Sequence, residues 1–175
     1  MKKNGSVPYT KGSSLLNVSQ DYELALAANE QVLELKNWFS SQQQILTWGG
    51  PNLVYPVADD DFITILRAPH LNSYCVTDSA KHLLAFGQYY LRLDRYHLGR
   101  LAVNPHYRNQ GIGKILIAGL LEKAVKNSKP REASLFVFKD NIAALHCYQN
   151  MGFREETYPE VMPENMPNCV YMVLR

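Results

Sequence analysis

The chain has 175 residues, 46% apolar and 19% charged, with a formal net charge of +2. That length allows one domain with a real core, and so small a charge, with Lys and Arg scattered along the chain, gives no basis for a nucleic-acid partner. The longest apolar run, Ile115 to Leu121, is far too short to span a bilayer, and no apolar core follows Lys2 and Lys3 as a signal peptide requires. Cys75, Cys147 and Cys169 cannot all pair and lack metal-type spacing, which points to a reducing compartment, the cytoplasm.

Residues 1–18, rich in Lys, Asn, Gly and Ser, read as a mobile N-terminal arm, leaving 19–175 as a single domain. Tyr22, Leu24 and Leu26 alternate with Glu23 and Ala25, predicting a first strand. Asn29 is expected to cap a helix with an apolar stripe of Val32, Leu33, Leu35, Trp38 and Phe39. The stretch SQQQILTWGGP ends that helix, and its Gly-Gly-Pro makes 48–51 a loop. Asp59 to Asp61 open a second helix, as the helix dipole prefers, running to about Arg67.

Strands at Ser73–Thr77 and His82–Tyr90 flank an Asp-Ser-Ala turn and form a hairpin. YHLGRLAV, residues 96–103, is a further strand ended by Asn104-Pro105. A long helix from about Ile112 to Asn127 is closed by Ser128-Lys129-Pro130, and ASLFVF is a buried strand. Asn141 to Asn150 is a helix stopped by Gly152, and a Pro-rich connection leads to a last strand near Val170–Leu174. The order β-α-α-β-β-β-α-β-α-β-β predicts an α/β fold with a mixed, mostly antiparallel central sheet of six to seven strands and helices on both faces.

The stretch RNQGIGK, residues 108–114, sets two glycines one residue apart at the start of the long helix. A P-loop needs four residues between its first Gly and Gly-Lys, and a Ser or Thr where Ile115 stands. The dinucleotide fingerprint needs Gly or Ala where Leu116 stands. Both readings fail. A loop entering a helix through glycines still offers unpaired amides to a diphosphate, with Arg108 and Lys114 adding charge, although the same segment is compatible with a solvated helix start.

The run LAVNPHYRNQGIGKILIAGLL resembles the acetyl-CoA-binding segment of the GNAT superfamily of N-acetyltransferases, whose pattern is Gln or Arg, two residues, Gly, any residue, then Gly or Ala. Arg108, Gly111 and Gly113 fit it. NIAALHCYQNMGF resembles the later motif of that family, with Asn141, Tyr148, Gly152 and Phe153 matching in order and spacing. The resemblance covers residues 73–157, and the N-terminal third only by element order. It implies a GNAT-like acyl-CoA fold with acetyl-CoA in a splay between strand 96–103 and strand 132–138. The implied cofactor contacts are Leu101, Ala102 and Val103, the loop Arg108, Asn109, Gln110, Gly111, Ile112, Gly113 and Lys114, and Asn141. Taken alone, Asn141 reads as a helix N-cap and Leu101 and Val103 as apolar core.

Tyr148 lies seven residues after Asn141, about two turns along one helix face. The resemblance implies that it is the general acid protonating the departing CoA thiolate; taken alone it reads as a core aromatic. No Glu precedes Leu101 on its strand, where many family members carry one, but His97 does. Four residues apart on a regular strand, His97 and Leu101 face the same side, which makes His97 a candidate base for the amine, with a water chain as the alternative. Cys147 lacks an activating partner and reads as a structural thiol.

By analogy, Trp48, Tyr89, Tyr90 and the 155–168 connection form the acceptor wall, and the carboxylates of EETYPEVMPENMP are available either to a cationic amine or to solvent. The resulting expectation is a metal-free N-acetyltransferase that moves acetyl from acetyl-CoA to a primary amine by direct attack in a ternary complex. The acceptor is a small-molecule amine or a peptide, neither nucleic acid nor membrane takes part, and a homodimer is left open. Two alternatives stand beside it: acetylation of a protein N-terminus or lysine, and a non-catalytic acyl-CoA sensor or interaction module.

Overall fold

The computed structural model describes residues 22–68, 70–127, 132–162, 166 and 168–175. The arm expected over 1–18 and the Ser128–Pro130 stop lie outside the described residues. In chain order the elements are β1 (Tyr22–Leu26), α1 (Asn29–Lys36), α2 (Gln42–Gly49), α3 (Asp59–Leu66), β2 (Asn72–Asp78), β3 (Leu83–Arg92) and β4 (Arg95–Val103). A 3-10 turn (Pro105–Tyr107), α4 (Ile112–Asn127), β5 (Ala133–Phe138), α5 (Ile142–Asn150), β6 (Arg154–Glu156) and β7 (Cys169–Leu174) complete it. The strands form one seven-stranded sheet in the order β1-β2-β3-β4-β5-β7-β6, in which only β4 and β5 run parallel. This is the mixed, mostly antiparallel sheet that the sequence predicts.

Period-two alternation divides the strand side chains between two cores. One, against α4 and α5, collects Tyr74, Val76, Tyr89 and Leu98 with Leu116 and Leu120. The other, against α1–α3, collects Cys75, Leu83 and Phe86 with Val32, Leu35, Ile45 and Phe62. Phe62 and Phe86 are fully buried, each worth about 1.5–3 kcal/mol relative to exposure.

The N-terminal third departs from the sequence reading in two places. SQQQILTWGGP does not simply end the first helix; it carries a helix of its own, α2, which takes in Trp48. Ser41 caps it, its hydroxyl accepting from the Gln44 amide, and Ile45 is buried beneath it, so three helix-tolerant glutamines outweigh the terminal glycines. At α1 the cap is Ala28 rather than Asn29, and Ala28 N–H is satisfied by the Gln31 side chain at 2.9 Å.

One irregularity in β4 positions everything that follows. Against β3, Leu98 and Gly99 pair with Tyr89 and Gln88, but Ala102 pairs with Phe86, so β4 holds one residue more than its partner. The extra residue falls at Arg100, whose φ of 50° is left-handed. Gly87 lies inside the bulge; a Cβ there would stand 2.8 Å from Leu101 Cδ2, so glycine is required for β3 to pass this close. The bulge also reverses the alternation: Tyr96, Leu98, Leu101 and Val103 pack toward α4, whereas Ala102 packs toward the α1–α3 core. His97 therefore does not share a face with Leu101, because the strand between them is not regular.

Candidate active site

β4 and β5 pair only from Tyr96–Ala133 to Leu98–Leu135 and then separate. Beyond that point the β5 side of Gly99–Val103 has no strand partner among the described residues, while the other side stays bonded to β3. A cleft of about 1690 Å³ opens at this fork, more than one small ligand needs. Leu101, Ala102, Val103, Arg108, Asn109, Gly111, Gly113, Lys114, Asn141 and Tyr148 all line it.

The loop at the far end of the fork is shaped by its own backbone. Asn104 is buried, donates to Leu83 O at 2.9 Å and accepts from His106 N–H at 3.1 Å, which fixes the turn after β4. Asn109 and Gly111 take positive φ, 61° and 80°, and Gly111 O accepts from Lys114 and Ile115 to start α4. Among the described residues the amides from Asn109 to Gly113 have no acceptor, and the space above Gly111 is open. These donors at the positive end of a 16-residue helix make an anion cradle. Arg108 and Lys114 are exposed beside it and form no ion pair among the described residues. Ile112 contributes main chain only, since its side chain is 1% exposed in the core.

α5 closes the opposite side. Asn141 caps it through Oδ1, which accepts from Ala144 N–H at 3.3 Å, and its Nδ2 keeps no described partner. Gly152, at φ 98°, turns the chain so that Phe153 N–H returns to Tyr148 O at 3.0 Å. Tyr148 is half-buried with its ring 6.0 Å from that of Phe153, and its hydroxyl has no hydrogen-bond partner among the described residues. Burial, and then Cys147, push its phenol well above the ordinary value, so it keeps its proton. Burial likewise raises the Cys147 thiol, only partly opposed by Lys114, which disfavours a thiolate there.

The opposite wall of the cleft is made of side chains from α2, β3 and β4. Trp48 stacks on Phe39 at 4.5 Å and packs against Phe62 and Phe86, so it belongs both to the core and to the cleft. Tyr90 lines the cleft and pairs across the strands with His97, the rings 5.3 Å apart. Tyr89 does not reach it. As the neighbour of Tyr90 in one strand it points to the other face, where it is 3% exposed and packed on Tyr74 and Tyr96.

His97 borders the cleft at 3% exposure, its Nδ1 2.9 Å from the buried Ser134 Oγ. Burial, with the Arg92 charge second, pulls its imidazole down from 6.5 to about 3, so it is neutral at working pH. Two arginines escaped the sequence reading. Arg92 bonds Tyr158 through Nε at 3.0 Å and reaches Glu160 at 3.6 Å. Arg100 donates to Gly49 O at 3.2 Å and Gln88 Oε1 at 2.9 Å. The alternation of β3 could have found Arg92, on the same face as Tyr90; nothing in the sequence marks the bulge that turns Arg100 inward. None of the described carboxylates of the 155–168 connection lines the cleft: Glu155 is exposed, Glu156 pairs with Arg175 and Glu160 accepts from Tyr158. No described helix is long and apolar enough to cross a membrane.

Comparison with known proteins places this geometry. The model of the acetyltransferase (GNAT) family matches residues 32–153. A probable spermine N(1)-acetyltransferase of Bacillus subtilis subsp. natto is 32% identical over 60 residues, 34% of this chain and only 40% of that protein's length. The [ribosomal protein bS18]-alanine N-acetyltransferase of Escherichia coli K12 is 30% identical over 105 residues, 59% of this chain and 68% of the relative. Among solved structures, spermidine N-acetyltransferase from Vibrio cholerae in complex with CoA and spermine superposes with a TM-score of 0.71 at 15% identity, covering 89% of this chain and 96% of that one. That last likeness is one of fold. With a family model spanning most of the chain and the fork, cradle and tyrosine in one cleft, the chain belongs to the acetyltransferase (GNAT) family, a family of acyltransferases.

Proposed function

We propose that residues 19–175 act as one cytoplasmic domain that moves acetyl from acetyl-CoA to a primary amine in a ternary complex. The observation carrying this reading is the fork itself: β4 leaves β5 after Leu98 and runs, with one edge unpaired, to a loop of unpaired amides. An extended pantetheine arm fits the free edge of Leu101–Val103 as an added strand, and a diphosphate fits the amides of Asn109–Gly113 with Arg108 and Lys114 beside them. The Nδ2 of Asn141 remains available to the same ligand.

In this mechanism the amine nitrogen attacks the thioester carbonyl, a C–N bond forms, and the tetrahedral intermediate collapses by breaking C–S. Tyr148 donates to the leaving sulfur and regains a proton from solvent. The upward shift of its phenol favours this donor form. Burial holds the His97 imidazole down at about 3, far below an amine, which disfavours it as the resting acceptor of the amine proton. Water carries that proton to bulk, and neutral His97 accepts a hydrogen bond from the amine at Nε2 when Nδ1–H donates to Ser134. Calorimetric titration with acetyl-CoA, then a thiol-release assay over a panel of amines, tests the reading. Absence of heat at millimolar acetyl-CoA overturns it; binding without any thiol release favours the sensor alternative.

A further inference from the structure

The charges of the cleft are one-sided. Arg92, Arg100, Arg108 and Lys114 line it, and no described residue lining it is Asp or Glu. In the reading above, Arg108 and Lys114 serve the diphosphate. Arg92 is offset by Glu160 and held by Tyr158. Arg100 alone remains: no carboxylate among the described residues pairs with it, and only two of its five N–H donors are used, leaving Nη2 without a described partner.

Its position is built rather than incidental. Gln88 is 1% exposed, and its Nε2 is committed to Leu66 O at 2.6 Å and Ser73 Oγ at 2.7 Å, so its Oε1 presents to Arg100. The left-handed bulge turns the arginine toward α2, just past the point where the strands fork and the acetyl group of the proposed cofactor would lie. The Trp48 ring lines the same cleft, one residue along α2 from the Gly49 carbonyl that Arg100 touches, while its Nε1 is buried away from the cleft surface.

A half-used guanidinium is a receptor for a carboxylate, which accepts two of its N–H donors at once. A polycation would meet Arg92 and Arg100 here with no counter-charge from the described lining. We infer that the acceptor is an amine that also carries a carboxylate, an amino acid or a short peptide rather than a polyamine, anchored by Arg100. The inference rests on the acetyl-transfer reading and narrows it.

The test uses the full chain with acetyl-CoA, a set of α-amino acids and dipeptides each beside its carboxamide, and spermidine. Carboxylate members should exceed their carboxamides by about tenfold or more in kcat/KM. Arg100→Gln should bring that ratio to about one, chiefly by raising KM, while Arg100→Lys recovers part of it. Equal or better use of carboxamides or spermidine overturns the inference, as does an Arg100→Gln that depresses both members of each pair alike. Acetyl-CoA binding is read by calorimetry on the same samples: its loss condemns acetyl transfer itself, whereas binding with no transfer to any carboxylate member condemns the acceptor class alone.

Discussion

The two walls of the cleft are built on opposite principles. The wall formed by β4, α4 and the loop between them offers main chain: an unpaired strand edge and a run of free amides. The wall formed by α2, β3 and the inward face of β4 offers side chains: Trp48, Tyr90, Arg92, His97 and Arg100. A main-chain site depends on conformation, so few residue types satisfy it and they recur as a pattern. A side-chain site can be rewritten one residue at a time without disturbing the sheet beneath it. The first wall suits an invariant ligand and the second a variable one.

The sharpest way to break this comparison is at Tyr148, which stands between the walls. Tyr148→Phe keeps the ring against Phe153 and removes only the hydroxyl. Turnover should fall about 100-fold or more, with the acetyl-CoA dissociation constant unchanged. An active Phe variant would return the tyrosine to the core and leave the sulfur to leave unaided.

Gly111 tests whether the first wall acts through conformation. Its φ of 80° is one that L side chains resist, and nothing stands within 4 Å of where a Cβ would go. Gly111→Val should cost about 1–2 kcal/mol of strain, lowering the melting temperature by a few degrees. Its side chain should also fill the diphosphate space and weaken acetyl-CoA binding by about tenfold or more. Gly113→Ala is the control: its Cβ would meet Val103 Cγ2 at an ordinary 3.6 Å, and binding should stay within about threefold. If Gly111→Val binds as well as wild type, the cradle is a helix start and nothing more.

The contrast between walls also explains what was legible in the sequence. The glycines, the Asn cap and Gly152 are residues whose backbone demands are visible in one dimension, so α4, β5, α5 and the loop are found nearly to the residue. The second wall is set by events without a sequence signature. The bulge at Arg100 inserts one residue and exchanges the faces of everything beyond it, which defeats period-two reasoning from His97 to Leu101. Naming Tyr89 beside Tyr90 is a different error, since adjacent strand residues cannot both enter one cleft. Helix α2 was concealed by the Gly-Gly-Pro at its end, although Ser41 three residues before Gln44 was a usable start signal.

His97 carries a smaller, pH-dependent effect. Its folded value of about 3 lies below the ordinary 6.5, so between these values the unfolded chain binds the extra proton. Its contribution to stability is therefore fully present above pH 6.5 and is lost as pH falls toward 3. At pH 5 the loss is about 2 kcal/mol, which denaturant unfolding at pH 7 and pH 5 resolves. His97→Gln should shrink the difference between those two measurements by that amount. Activity should follow the ionisation of the amine itself, with no limb near 6.5, and the Gln variant should lose only a few-fold in rate, since a hydrogen bond rather than a proton sink is removed. A wild-type limb near 6.5 that disappears in the variant would restore His97 as the base.

The smallest effect should come from the residue next to Tyr148. Cys147 borders the same cleft, and a cysteine there invites an acetyl-enzyme route in which the thiol takes the acetyl group before the amine does. That route needs a thiolate, and here burial raises the thiol while Lys114 opposes it only in part. Among the described residues no histidine is hydrogen-bonded to it as an activating base would be. Cys147→Ala should consequently leave kcat/KM within about twofold. Rapid mixing of wild type with acetyl-CoA alone should release no burst of free CoA, because direct attack requires both substrates bound before either bond changes. A stoichiometric burst that Cys147→Ala abolishes would replace the ternary complex with a two-step transfer, and would move the chemistry from between the walls onto α5.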